Sequence, residues 1–160
     1  MEDVIRHFGH LTLGTRLKRL GEQLQQQTQE IIDSFGVELV VAHFPVLAAL
    51  DRLGSTTVGG LSQALELAQP GITRSLSRLE ADGWVETEIA DDDRRVRTVR
   101  LSAAGAALIA TAKLEIWPLI DGAVAEAAAS DEASLLGQLH SLEAQLARKR
   151  LFDRAERARP

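Results

Sequence analysis

The chain of 160 residues contains no cysteine and no tyrosine, and its aromatic content is only 4%. Without cysteine there is neither a disulfide framework nor a thiolate metal site, and sensing of peroxide through a reactive thiol is excluded. The sequence also lacks a nucleophile signature, a phosphate-binding glycine loop and a carboxylate pair supported by histidine. We therefore expect no enzyme, no metal and no cofactor.

Targeting and membrane signals are also missing from the sequence. The first ten residues lack the basic-then-apolar pattern of a signal peptide. No apolar run approaches the length of about 18 residues that a membrane span requires. With 45% hydrophobic and 26% charged residues the chain has a globular composition. We expect a cytoplasmic protein with no membrane partner.

Two short segments with helical periodicity follow one another between residues 56 and 83. Their apolar positions are Val58, Leu61 and Leu65 in the first segment, and Ile72, Leu76 and Leu79 in the second. Thr57 is a candidate N-cap for the first helix. Pro70 suits the first turn of the second helix because its missing N–H needs no partner there, and Gly83 is the predicted stop. The spacing predicts a helix-turn-helix.

The second helix of this pair exposes small and polar side chains together with two arginines. The residues on its first turn and its outer face are Gln69, Pro70, Gly71, Thr73, Arg74, Ser77 and Arg78. Such a face suits close approach to phosphates and to the edges of bases. An ordinary solvated face of an amphipathic helix is the alternative for the helix taken alone.

Two β-prone runs follow, over residues 85–89 and 96–101, around an acidic turn. Arg94 and Arg95 lie at the tip of the predicted hairpin, where an arginine can enter the narrow minor groove of DNA. A plain soluble hairpin is the alternative interpretation. Helix pair and hairpin together predict a winged helix-turn-helix whose partner is double-stranded DNA. Thr57, at the start of the first helix, also belongs to the candidate DNA contacts.

Five segments in this order resemble the MarR family of bacterial winged helix-turn-helix transcriptional regulators. They are Thr57-Val58-Gly59-Gly60-Leu61, Gln69-Pro70-Gly71-Ile72-Thr73-Arg74, residues 78–85, Asp92-Asp93-Arg94-Arg95 and Leu101-Ser102-Ala103-Ala104-Gly105. The resemblance implies a homodimer on a pseudo-palindromic operator, with DNA contacts from Gln69, Pro70, Thr73, Arg74 and Arg94. One departure is Ala68, where relatives often carry a serine that caps the recognition helix.

The predicted fold is mainly α with a small β wing. We assign residues 37–101 to the winged helix-turn-helix and residues 1–36 and 102–160 to a helical dimerisation region. Leucines with heptad-like spacing between Leu13 and Ile31 predict one long helix, and a second helix is predicted over 38–53. An alanine-rich helix over about 102–129 should kink near Pro118. An intramolecular bundle of the same helices is the alternative to a dimer.

Charge restricts how this chain can bind DNA. The net charge is −5, and the span from Gln69 to Leu101 carries six arginines against seven acids. Binding must therefore depend on where the charges lie rather than on their sum. The four arginines at positions 74, 78, 94 and 95 would have to share one surface, with the acids turned away or paired.

The resemblance also implies a small effector, frequently aromatic and anionic, bound between the dimer helices and the winged unit. Candidate lining residues are His10, Arg16, His43, Phe44 and Trp117. The alternative for His43 is a structural histidine, and for Trp117 a core or interface position. Three functions stay open: a regulator, most often a repressor, released by a ligand; a DNA-binding protein without a ligand response; and a protein-interaction module that has lost DNA binding.

Overall fold

The computed structural model describes residues 3–89, 97–129 and 134–156. The chain divides into two compact units, Met1–Ile120 and Asp121–Pro160. The expected functional division at residues 37 and 101 follows a different boundary and stays a prediction. The expected wing tip, with Arg94 and Arg95, lies outside the described residues.

The first unit holds the elements that the sequence predicted around the helix-turn-helix. Its helices are α1 (Val4–His7), α2 (Leu13–Ser34), α3 (Phe44–Leu53), α4 (Val58–Leu65), α5 (Gln69–Ala81) and α6 (Ala103–Thr111), with 3-10 turns at Gly9–Thr12 and Val41–His43. Its strands are β1 (Thr56–Thr57), β2 (Val85–Ile89) and β3 (Arg97–Leu101). A π-helical segment, Ala112–Ile116, leads from α6 into α7 (Trp117–Ala127). The second unit contains the remainder of α7, then α8 (Leu135–Arg148) and α9 (Leu151–Glu156).

The three strands form one antiparallel sheet in the order β1-β3-β2. Val85 lies opposite Leu101, and Thr56 lies opposite Val99 on the other side of β3. The strand β1 thus joins the entry of α4 to the wing. This arrangement confirms the expected fold, mainly α with a small β wing.

One hydrophobic core joins the winged elements to their helical neighbours. Ile32 from α2 and Ile109 from α6 are fully buried together with Leu47, Leu61 and Leu79 of α3, α4 and α5. Neither Ile32 nor Ile109 belongs to the span 37–101. The end of α2 and the start of the alanine-rich helix therefore help to support the helix-turn-helix directly.

The helix α3 begins later than the periodicity suggested. It starts at Phe44 rather than near Glu38, with Pro45 in its first turn, a position that proline favours. The side chain of Gln29 holds the preceding segment, because its amide donates to the carbonyl of Leu39 at 3.0 Å and accepts from the N–H of Val41 at 2.7 Å. These bonds satisfy backbone groups that a longer helix would have paired internally.

The alanine-rich helix is irregular where proline removes a hydrogen-bond donor. The irregularity was expected near Ile116 and Trp117, and the π-helical segment Ala112–Ile116 lies directly before Pro118. Such bulges absorb the bond that proline cannot make. By length and composition Ala103–Ala127 could cross a membrane, with a mean hydropathy of 1.4 and 22% of its best window buried. The charged residues Lys113 and Glu115 interrupt this helix, so the expectation that no uninterrupted apolar run approaches this length is compatible with it.

The end of α5 is joined to the wing and to α6 by a compact set of hydrogen bonds. Gly83 adopts a φ of 78°, and the N–H of Trp84 donates to the carbonyl of Leu79 at 2.8 Å. The buried Ser102 donates through Oγ to the carbonyl of Gly83 at 2.6 Å and accepts from the N–H of Gly105 at 3.0 Å. A Cβ on Gly105 would overlap the carbonyl oxygen of Trp84.

Substitution of Gly105 tests how tightly this junction is packed. Gly105→Ala should lower the free energy of unfolding by about 1–3 kcal/mol, because the backbone at Trp84 or in α6 must move to admit the methyl group. The matched control is Gly71→Ala on α5, where an added Cβ meets nothing within 4 Å. Urea unfolding followed by circular dichroism measures both variants, and equal stability of the two would contradict this description of the junction.

Candidate nucleic-acid interface

The turn between α4 and α5 sets the start of the candidate recognition helix. Thr57 caps α4 by accepting the N–H of Gly60 at 3.0 Å, as the sequence predicted. Glu66, with a φ of 53°, ends α4 in the left-handed conformation. Ala68 precedes α5 and offers no side-chain cap, so the helix starts at Gln69 with Pro70 in its first turn. The missing serine therefore costs a cap but does not delay the helix.

The predicted DNA-contacting residues of α5 form one accessible face. Ile72, Leu76 and Leu79 are buried, which turns the opposite side of the helix to solvent. The exposed members of the predicted set are Gln69, Pro70, Thr73, Arg74, Ser77 and Arg78, while Gly71 is half-buried. The hydroxyl of Thr73 donates to the carbonyl of Gln69 at 3.0 Å, which leaves its oxygen free to accept a further bond.

Ion pairs distribute the charge of the winged unit unevenly. Arg78 donates through Nε to Asp82 at 2.8 Å, one turn further along α5. On the hairpin, Arg100 contacts Glu86 at 2.9 Å and Glu88 at 2.8 Å. Arg74 has no ion-pair partner within residues 3–89, 97–129 and 134–156. Of the arginines on α5, Arg74 therefore presents the less compensated charge.

His43 lies close to this recognition helix. Its Nδ1 atom is buried and has no hydrogen-bond partner within the described part of the chain. Burial lowers the pKa of His43, Asp82 raises it and Arg78 lowers it further, with burial as the largest effect. An imidazole whose pKa lies below its ordinary value is uncharged near neutral pH. The uncharged form of His43 is therefore favoured near neutral pH, although the charges of Asp82 and Arg78 both act on it.

A cavity of about 660 Å³ lies within the first unit, between α2, α3 and the start of α7. Phe44 and Trp117 line it, as predicted for an effector site. The sequence did not indicate its other lining residues, which are Gln25, Thr28, Ile32, Val41, Ala42, Pro45, Ala48, Leu67 and Ile120. They lie on apolar stripes that periodicity assigns equally well to a core, so no sequence signal distinguishes them.

The other three candidate ligand residues do not line that cavity. Arg16 borders a separate cavity of about 260 Å³ on the N-terminal side of α2, together with Arg6 and Arg19. His10 is exposed in the 3-10 turn before α2. His43 neighbours two cavity residues in sequence but is not among those that line it. The structure therefore separates the five residues that were predicted to act together.

Residues 35–96 match the model of the MarR family. An uncharacterized HTH-type transcriptional regulator of Bacillus cereus is 30% identical over 94 residues, which are 59% of this chain and 60% of that protein. The multiple antibiotic resistance protein MarR of Escherichia coli is 29% identical over 94 residues, or 58% of this chain and 65% of that protein. The winged part of this chain is thus similar to the MarR family. The chain spans about 60% of the length of the Bacillus relative.

Solved MarR-type structures share the fold across nearly the whole chain. A mutant MarR from Escherichia coli, crystallised in complex with operator DNA, superposes with a TM-score of 0.71 at 21% identity and covers 91% of this chain and 99% of that chain. The transcriptional regulator BldR from Sulfolobus solfataricus gives a TM-score of 0.64 at 21% identity, covering 93% and 100%. At these identities the superpositions establish the winged-helix architecture and nothing finer.

Proposed function

We propose that this MarR-like chain is a homodimeric transcriptional regulator that binds a pseudo-palindromic operator. The exposed face of α5 carries the proposal. It combines Gln69 and Thr73 with Arg74, which has no ion-pair partner among the described residues. The opposite face of the helix is buried in the core and fixes its position. Arginine and glutamine side chains on such a helix recognise guanine and adenine in the major groove. The relative from Escherichia coli crystallised with operator DNA supports this choice of partner.

Exposed apolar side chains outside the winged elements support a dimer. Leu11, Leu114 and Leu136 expose 83%, 78% and 77% of their surface, and Leu20 on α2 exposes 44%. These side chains lie in the two regions that the sequence assigns to dimerisation, and apolar surface that is exposed in contiguous patches marks interaction sites. A second copy of the chain would cover them, and a two-fold dimer matches a two-fold operator. Ala103–Ala127 would then be a core and interface helix in a cytoplasmic protein.

Free positive charge on the described part of the winged unit is sparse, since two arginines are already paired with acids. This favours, as the second candidate, a protein-interaction module that has lost DNA binding. Removal of the Arg74 side chain distinguishes the two candidates. A DNA-binding protein should lose affinity for its operator, whereas a module that has lost DNA binding has no such affinity to lose.

The DNA-binding proposal is tested by selecting bound fragments of the source genome and titrating the recovered duplex. Arg74→Ala should weaken binding about 10–100-fold, the effect of losing one base or phosphate contact. Affinity of the unsubstituted protein should fall by about 10³–10⁵ between 50 and 200 mM salt. The matched control is Arg52→Ala, which removes an exposed arginine at the end of α3. Recovery of no duplex, or equal losses in both variants, would reject the proposal.

We further propose that an effector binds in the cavity lined by Phe44 and Trp117, and that its binding releases the operator from the protein. Its volume of about 660 Å³ suits a small molecule. Its described lining has no charged side chain, and Gln25 and Thr28 are its polar members. A carboxylate buried there would lack a counter-charge, so an uncharged aromatic molecule fits better than the anionic class expected from the family.

Naphthol and naphthoate separate these two ligand classes, because they share one ring system and differ in charge. We expect naphthol to change the tryptophan emission and to release the operator, and naphthoate to bind at least about tenfold more weakly. Trp117→Leu should abolish the naphthol signal while Trp84 still fluoresces. Binding of naphthoate as tight as that of naphthol would contradict the assignment of the cavity to an uncharged ligand.

A further inference from the structure

Asp82 lies at a position where a carboxylate is unfavourable for the helix that carries it. It follows Ala81 at the C-terminal end of α5, where the exposed carbonyl groups carry partial negative charge. The end of the helix is already closed by the backbone bonds of Gly83 to Glu80 and of Trp84 to Leu79, at 3.1 and 2.8 Å. Neither the helix dipole nor the closure of the helix end therefore explains an acid at this position.

The carboxylate of Asp82 is paired with Arg78, on the face of α5 that we propose for DNA. The Nε of Arg78 lies 2.8 Å from an oxygen of Asp82. The arginine side chain is 67% exposed and the aspartate side chain 28% exposed. The carboxylate thus lies closer to the body of the protein and the guanidinium points towards solvent, where a DNA phosphate would approach.

Neutralisation of Arg78 changes what this arginine contributes to DNA binding. The sequence-independent part of DNA affinity comes from cations that replace the counterions of phosphates. Breaking an exposed ion pair costs little, but the carboxylate remains beside any phosphate that Arg78 reaches. The pair as a whole therefore carries no net charge towards the duplex. Arg74, one turn earlier, has no such partner among the described residues and retains its charge nearer the N-terminal half of the helix, which reads base edges.

We propose that Asp82 is a specificity-determining residue, which suppresses affinity for arbitrary DNA by neutralising Arg78. The inference rests on the DNA-binding function proposed above. A released Arg78 finds a phosphate in every register of an arbitrary duplex. On the operator, base contacts already fix a single register, so the gain there is smaller.

The test compares Asp82→Asn with Glu80→Gln in the full-length protein. Both changes remove one negative charge at the C-terminal end of α5, and Glu80 is exposed without an ion-pair partner in the described residues. At about 100° per residue, Asp82 lies on the side of Arg78 and Glu80 lies on the opposite side. Asparagine is tolerated at helix ends, so the variant should fold, which a thermal melt verifies.

Binding is measured on the selected operator and on a mixed-sequence duplex of about three helical turns. Asp82→Asn should bind the mixed-sequence duplex about tenfold more tightly, with the slope of log affinity against log salt steeper by about 2 for a dimer. The ratio of operator affinity to mixed-sequence affinity should fall. Glu80→Gln should change each quantity little, and in an Arg78→Ala background Asp82→Asn should have no further effect.

Three results would overturn the inference while leaving DNA binding intact: equal effects of Asp82→Asn and Glu80→Gln, persistence of the effect without Arg78, or an unchanged affinity ratio. Failure of the unsubstituted protein to bind any duplex would instead reject the proposed function, and this inference with it.

Discussion

The fold depends on the hydrogen bonds between Ser102 and the backbone of Gly83 and Trp84. Ser102 accepts the N–H of Gly105 in the first turn of α6, while its own hydroxyl and N–H donate to the carbonyl groups of Gly83 and Trp84 at 2.6 and 3.1 Å. One buried side chain therefore fixes the end of the recognition helix, the base of the wing and the start of α6. Gly105 makes the close approach possible, since a methyl group would overlap Trp84. The face that we propose for DNA is oriented by this junction.

The DNA binding that we propose for this acidic chain depends on where its charges lie rather than on an excess of positive ones. Asp82, Glu86 and Glu88 are all paired with arginines of the winged unit, which removes three acids from the balance together with two cations. Arg74 then presents an uncompensated guanidinium on an otherwise small and polar helix face. The pairing that reduces total attraction to the duplex also favours contacts that depend on sequence.

Much of the fold could be predicted from periodicity and capping. The stripes of α4 and α5, the stop at Gly83 and the pairing of β2 with β3 all follow from local patterns, and the structure confirms them. The start of α3 could not be predicted, because it depends on a residue of another helix. The side chain of Gln29 in α2 bonds the backbone of Leu39 and Val41, which a longer α3 would have paired internally. The pairing of Arg78 and the grouping of Phe44 with Trp117 depend on rotamers and tertiary contacts, which local spacing does not record.

The central claim is that α5 lies in the major groove on both halves of a symmetric site. Because the chain has no cysteine, Ser77→Cys offers a unique attachment point on the exposed face of α5 for an iron chelate that cleaves nearby DNA. We predict cleavage in two symmetric patches about one helical turn apart. Within each patch, the cuts on the two strands should be shifted relative to one another in the direction that is typical of a reagent in the major groove. A single patch, a minor-groove offset or unlocalised cleavage of a bound operator would contradict it.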